Sequence, residues 1–291
     1  MFSGSMAAIV TPFRDGRIDT DGLERLIEFQ VSNGTSAIVP CGSTGESATL
    51  THDEHSEVVR LAVRFVRGRV PVIAGSGSNS TAEAIALTRA AREAGATAAL
   101  LISPYYNKPT QEGIYRHYKA VAEVTGVPLI LYNIPGRTAS KIEATTIARL
   151  AELEHIVGLK DATGSLDEVQ EVLRLCGDRI AVYSGDDSLT LPIMAAGGAG
   201  VISVVANVMP RQSADMVAEC MHGNWDKGRR LHYELLPLIR ALFLETNPIP
   251  VKAAVAMMGY CRDELRLPLL PMSDAPRAKL RAVMQQYGLV Q

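Results

Sequence analysis

The chain is poor in cysteine: four in 291 residues, at Cys41, Cys176, Cys220 and Cys261, widely spaced and without a CxxC pair. That spacing argues against a disulfide framework or a cysteine zinc site and fits a reducing compartment. An excess of positive charge is also absent. Twenty-nine Lys and Arg stand against 31 Asp and Glu, a formal net charge of -2, and the basic residues are scattered. No field of this kind seeks a polyanion, so nucleic acid is not expected as a partner. No stretch reaches the ~18 uninterrupted apolar residues of a membrane span. The opening "MFSGSMAAIVTPF" has no basic segment and too short an apolar one for a signal peptide. A cytoplasmic protein without membrane contact is expected. There is no low-complexity segment, no long linker and no repeat beyond a strand–helix unit.

What is present is a large supply of core. With 47% hydrophobic and 21% charged residues the chain is not disordered. Short apolar runs alternate with longer amphipathic stretches. The runs are "SMAAIV" (5–10), "SAIVP" (36–40), "PVIAG" (71–75), "AALLI" (98–102), "PLILY" (128–132), "IVGLK" (156–160), "IAVYS" (180–184) and "GVISV" (200–204). They are continuous rather than alternating, as strands covered on both faces in a parallel sheet are. Between them "TDGLERLIEFQVSNG" ends on the helix stop Asn33-Gly34. "THDEHSEVVRLAVRFV" opens with the capping box Thr51/Glu54, and "STAEAIALTRAAREAG" repeats that start with Ser80 and Glu83. About eight strand–helix units in some 220 residues predict a (β/α)8 TIM barrel, with an open doubly wound sheet as the alternative. After Pro210 only helical patterns occur. The expected organisation is a barrel over 1–224 and a C-terminal helical domain over 225–291.

In such a barrel the chemistry sits at the C-terminal ends of the strands. The segments just past the apolar runs are "CGSTGES", "GSGSN", "SPYYNKP", Tyr132 with "NIPGRT", Lys160, and "SGDDS". Hydroxyls, one lysine and one arginine converge on a single rim. Lys160 ends an apolar run, where an ammonium needs either a route to water or a partner. One reading has it snorkel to solvent. The other has burial lower its pKa, so that a neutral amine attacks a ketone and forms an imine.

The loop "GSTGE" (42–46) is either a glycine-permitted turn or a nest in which Ser43, Thr44 and backbone N–H groups hold a carboxylate. No Gly-Lys-Ser/Thr comes after it, so it is not a Walker loop. "GSGSN" lacks the third glycine of a dinucleotide fingerprint. Dinucleotide cofactor binding is therefore not expected there. Tyr105 and Tyr106 either pack or act; Arg137 is either a surface residue or a bidentate carboxylate clamp. In "HDEH", His52 and His55 are three apart rather than the four of HExxH, and the acids there suit a helix start, so no metal is expected.

These motifs together resemble the dihydrodipicolinate synthase family, among the pyruvate-dependent class I aldolases that also include the N-acetylneuraminate lyases. The likeness takes in "GTSAIV", "GSTGESATL", "HDEH", "PVIAGSGSN", "SPYYNKPTQEG", "LYNIPGRT", "GLKDATG", "SGDD", "GVISV" and "NPIPVK", nearly end to end. The resemblance implies that Lys160 condenses with pyruvate as an imine and then an enamine, which adds to aspartate semialdehyde. It makes Tyr132, Ser43 and Tyr106 a proton relay, with Tyr106 supplied by a neighbouring subunit of a homotetramer built as a dimer of dimers. Thr44 would hold the pyruvate carboxylate, Arg137 that of the second substrate, and Gly185 and Ile202 would shape the space around the lysine. The resemblance also implies that no cofactor is needed.

The resemblance further implies a lysine-inhibition site at Ser47, Ala48, His52, His55, Asn79, Glu83 and Tyr105. Against that stands the simpler reading that these groups only stitch an interface. Ser43 stands where the family has a relay threonine, and "GSTGE" is also the lyase spelling of the loop; "NIPGRT" favours the shorter semialdehyde. The rival readings are therefore a sugar-acid or N-acetylneuraminate lyase, a metal-dependent aldolase using His52 and His55, and a non-catalytic pyruvate or lysine sensor.

Overall fold

The computed structural model describes residues 2–291. Its eight principal strands are β1 (Gly4–Ala8), β2 (Ala37–Val39), β3 (Ile73–Gly75), β4 (Ala98–Ile102), β5 (Leu129–Asn133), β6 (Ile156–Asp161), β7 (Ala181–Ser184) and β8 (Gly200–Ser203). They pair in parallel in the order β2-β1-β8-β7-β6-β5-β4-β3. The seam between β2 and β3 closes on a parallel bridge, Ile38 to Val72. The sheet is a (β/α)8 TIM barrel, and each apolar run of the sequence supplies one stave.

The strands are apolar on both faces because both faces are covered. Met6, Ala8, Ala37, Val39, Ile73, Leu100, Ile130, Tyr132, Tyr183 and Ile202 point inward and fill the barrel. Their neighbours Ala7, Ile38, Ala74, Leu101, Leu131 and Leu159 point outward against the helices. Register then decides where Lys160 points. It is paired with inward-facing Tyr132 on one side and inward-facing Tyr183 on the other, so it too faces the interior. Two residues earlier, Gly158 leaves space: a Cβ there would stand 2.9 Å from a Tyr183 ring carbon.

The surrounding helices are α1 (Thr20–Ser32), α2 (His52–Val66), α3 (Thr81–Glu93), α4 (Gln111–Thr125), α5 (Ala144–Leu150), α6 (Leu166–Cys176), α7 (Thr190–Ala195) and α8 (Pro210–Met221). The capping box at Thr51 and Glu54 forms in both directions. The one expected at Ser80 forms in one direction only. Ser80 accepts from the Glu83 N–H, while the Glu83 carboxylate turns to Ser78 and to His52. A carboxylate with better partners abandons its cap.

One element lies outside the eight expected strands. "FRDGRI" forms a two-stranded hairpin, Phe13–Arg14 with Arg17–Ile18, turned by Asp15 (φ 54°) and Gly16 (φ 77°). An Asp-Gly pair between short strands is the usual signal for such a turn.

The chain ends in α9 (Trp225–Ala241), α10 (Ile249–Met257) and α11 (Asp274–Gln286). The expected boundary at 224/225 falls at the start of α9. Leu235, Leu238, Val251, Val255, Leu280 and Met284 lie in one hydrophobic cluster with Val10, Phe13 and Val205 of the barrel. No helix is long and apolar enough to cross a membrane among the described residues.

Candidate active site

The C-terminal rim of the barrel opens into a cavity of about 560 Å³. Its walls include Ser43 from the β2 loop, Tyr132 from the end of β5, Arg137 from the turn after β5, and Asn247 just before α10. Lys160 is 4% exposed and does not itself line the wall; its Nζ is 4.4 Å from the ring centre of Tyr132, which does. The lysine takes part in none of the ion pairs among the described residues. Being buried, it does not snorkel to water, and among the described residues no carboxylate is within ion-pair distance of it.

Electrostatics follow from that placement. Burial pushes the Lys160 ammonium down to about 8; a buried carboxylate, Asp187, pulls it up and the Arg137 charge pushes it further down. At neutral pH a usable fraction is then the free amine, where an exposed lysine would have almost none. Burial raises the Tyr132 phenol to about 12, opposed by the Arg137 charge and the Ser43 hydroxyl. Tyr132 thus stays protonated and can both donate and accept beside the amine.

Asp187, absent from the motif-based candidates, lies in the short turn after β7. Its Oδ2 accepts from the N–H groups of Val204 and Val205, 2.9 Å each, tying that turn to the end of β8. Burial raises its carboxyl above the ordinary range, countered by Ser203 and those two amides. Its only local signal is "SGDD" after a strand, where one carboxylate of the pair is buried. Asn247 carries a weaker signal still. It lies inside "NPIPVK", far from any strand end, yet its Nδ2 donates to Thr44 Oγ1 at 3.1 Å and its carbonyl accepts from Arg137 Nη2 at 2.7 Å. Its own Oδ1 is buried without a partner among the described residues.

The structure brings the remaining candidates together unevenly. Thr44 is buried beside Ser43, with its hydroxyl held by Asn247. Gly185 donates its N–H to Asp161 O at 2.6 Å, and a Cβ on it would meet that same oxygen at 2.8 Å. The tight approach of β6 to the β7 turn requires glycine there. Ile202 is buried in the barrel interior. Tyr106 stands apart: it is 89% exposed, with φ 70°, and lies outside the cavity wall.

Ser47, Ala48, His52, His55, Glu83 and Tyr105 line the same cavity as Ser43 and Tyr132, so the two sets are parts of one concavity. The "HDEH" histidines point to different partners. His52 Nε2 meets Glu83 Oε1 at 2.8 Å, and buried His55 Nε2 meets the Gly75 carbonyl at 2.7 Å. Glu83 is held below the ordinary carboxylate range by Ser78 and His52. Asn79 is not on the wall; its amide donates to the Tyr105 carbonyl at 3.2 Å.

Known proteins are similar to this chain in sequence and fold. The profile of the "Dihydrodipicolinate synthetase family" matches residues 1–287. A 4-hydroxy-tetrahydrodipicolinate synthase of Pelobacter propionicus is 56% identical over 290 residues, covering 100% of both chains. Among solved structures, the chloride-inhibited dihydrodipicolinate synthase of Acinetobacter baumannii complexed with pyruvate is 45% identical, with TM-score 0.98 and 100% of both chains covered. The enzyme of Cyanidioschyzon merolae with lysine bound is 40% identical, with TM-score 0.96 and 99% of both covered.

Proposed function

The chain belongs to the dihydrodipicolinate synthetase family, and from that premise we propose that it is a 4-hydroxy-tetrahydrodipicolinate synthase. In this reading it condenses pyruvate with L-aspartate 4-semialdehyde in lysine and diaminopimelate biosynthesis. The observation that carries the reading is Lys160: buried, inward-facing, without an ion-pair partner among the described residues and in contact with the Tyr132 ring.

The reaction begins at the amine. Free Lys160 attacks C2 of pyruvate, protons pass through Tyr132 and Ser43, and water leaves to give the protonated imine. That cation is an electron sink, so a proton leaves C3 and an enamine forms. Thr44 and the backbone around it hold the pyruvate carboxylate through O–H and N–H donors, as a nest does. The enamine carbon attacks the aldehyde carbon of the second substrate, whose carboxylate pairs with Arg137, and the new alkoxide takes a proton. The substrate's own amine then attacks C2 of the iminium, closing the ring and expelling Lys160 as the free amine. One water is released for each pair of substrates. Ser43 keeps the hydroxyl a relay needs, and Tyr132, protonated at working pH, is a competent proton carrier.

Two further properties belong to the same reading. The exposed Tyr106 serves the site of a second copy in a homotetramer. The Glu83–His52 end of the cavity binds free lysine, with Glu83 meeting an ammonium; turnover unchanged at millimolar lysine excludes this.

Incubation with pyruvate and borohydride, followed by peptide mapping, tests the central claim. The expected result is one covalent adduct on the peptide carrying Lys160, absent when aspartate semialdehyde is supplied alone. No adduct with pyruvate, or one on another lysine, overturns it.

A further inference from the structure

The catalytic reading leaves one buried ion pair unused. Lys252 on α10 and Glu46 at the end of the 42–46 loop both have fully buried side chains, with Nζ and Oε1 2.8 Å apart. The rest of each charged group is also engaged. The ammonium donates to the carbonyls of Thr11 (2.6 Å) and Glu264 (3.1 Å), and Glu46 Oε2 accepts from the N–H of Arg266 (3.1 Å). Apolar side chains of similar volume hold a core together at least as well as a buried ion pair does. Retention of the charges therefore asks for a positional reason. The backbone of Glu46 supplies one. It is left-handed, at φ 54° and ψ 36°, a conformation in which glycine is unstrained and other residues are not. A glutamate held there is a glutamate whose side chain is in use.

What it holds is the loop that carries Ser43 and Thr44. Three separate pins fix that loop, and two come from the start of α10. Thr11 donates its hydroxyl to Gly45 O at 2.7 Å, while its carbonyl takes the Lys252 ammonium. Asn247, five residues before Lys252, donates to Thr44 and accepts from Arg137. The Lys252 N–H closes the first turn on Pro248 O at 2.9 Å, so Lys252 and Asn247 flank the same short stretch of backbone.

We propose that the Lys252–Glu46 pair is a positioning device that locks the Ser43–Thr44 loop to the start of α10, and so fixes the separation between Thr44 and Arg137. Those two residues are the anchors assigned to the two substrate carboxylates, so the proposal rests on the synthase reading of the site. The pair touches no substrate itself. It sets the span that the two substrates must bridge, and with it the affinity for pyruvate.

The experiment uses the full chain carrying Glu46→Gln, which keeps shape and acceptor, and the double variant Glu46→Leu/Lys252→Met, which replaces the pair by apolar side chains. Steady-state kcat and KM are measured for both substrates, with thermal unfolding alongside. Loss of folded protein alone lowers apparent kcat and leaves KM unchanged, whereas a displaced loop raises KM. The expected result is a KM for pyruvate raised about tenfold or more in both variants, with kcat reduced less than KM is raised, in protein that still unfolds cooperatively. Both KM values within twofold of the parent in folded protein, or a fall in kcat alone, overturns the proposal. Borohydride trapping of the unaltered chain is the separate control. Its failure strikes the reading of the site, and its success with unchanged KM in the variants strikes only the pair.

Discussion

Among the described residues two lysines are buried, and their surroundings treat them in opposite ways. Lys160 and Lys252 both place an ammonium 4.4 Å from the centre of an aromatic ring, Tyr132 in one case and Phe13 in the other. Lys252 is surrounded by a carboxylate and two carbonyls. Among the described residues Lys160 has no ion-pair partner, only the more distant pull of buried Asp187. Burial is common to both, so burial alone does not make a nucleophile. The decisive difference is whether the surroundings hold the charge by direct contact or leave it poorly compensated and readily lost. On the proposed reading the compensated lysine is a rivet and the uncompensated one a reagent.

The comparison can be broken at either lysine. The largest effect is expected from Lys160→Ala, which on the proposed synthase reading removes the nitrogen that bonds the keto acid. Turnover falls roughly a thousandfold or more, the scale on which a covalent nucleophile is lost, and an assay of product formation checks it. Turnover near that of the parent would dissolve the distinction between the two side chains.

Next comes Lys252→Met, which leaves the Glu46 carboxylate buried and alone. Removing one partner of a buried pair destabilises by about 3–5 kcal/mol. Chemical denaturation is the measurement, and a loss below about 1 kcal/mol would mean that the pair was never a rivet.

The pH dependence sharpens the contrast. With the Lys160 amine titrating at about 8, kcat/KM for pyruvate should climb about tenfold per pH unit below that value and level off above it. A profile flat from pH 6 to 9 would show that the amine is not the titrating group.

The smallest effect has the less intuitive sign. The folded pKa of Lys160, about 8, lies below the ordinary 10.5. Between those values the unfolded chain binds more protons, so this group adds stability as pH rises from 8 to 10.5 and is a burden below 8. Lys160→Met should therefore stabilise the protein by roughly 1–3 kcal/mol at pH 7 and by less at pH 10, measured by unfolding at both. The same substitution at Lys252 moves stability the other way.

Much of the site is legible in the sequence because barrel chemistry gathers at strand ends. "AALLI" is β4 residue for residue, and Lys160 ends its apolar run as a strand-end group does. The Thr51 capping box is readable because its partners are three residues apart. What is not readable depends on distance along the chain. Asn247 and Thr44 are 203 positions apart, and Lys252 and Thr11 are 241 apart. Ser80 and Glu83 have the spacing of a full box, yet Glu83 answers to His52 on the neighbouring helix. The Asp-Gly hairpin at residues 13–18 is a local signal, but a faint one, because its strands are only two residues long.

The amino-acid order by itself determined the alternation of strand and helix and the segments that follow each strand onto the rim. Those depend on periodicity and on nearest neighbours, which a linear pattern contains. Only the closed barrel with its C-terminal helices decided which lysine is compensated, that Asn247 joins Thr44 to Arg137, and that the His52–Glu83 pair shares a cavity with Tyr132. Each of these is settled by what stands within a few ångströms in space, and charge, desolvation and hydrogen bonding act at that range whatever the separation along the chain.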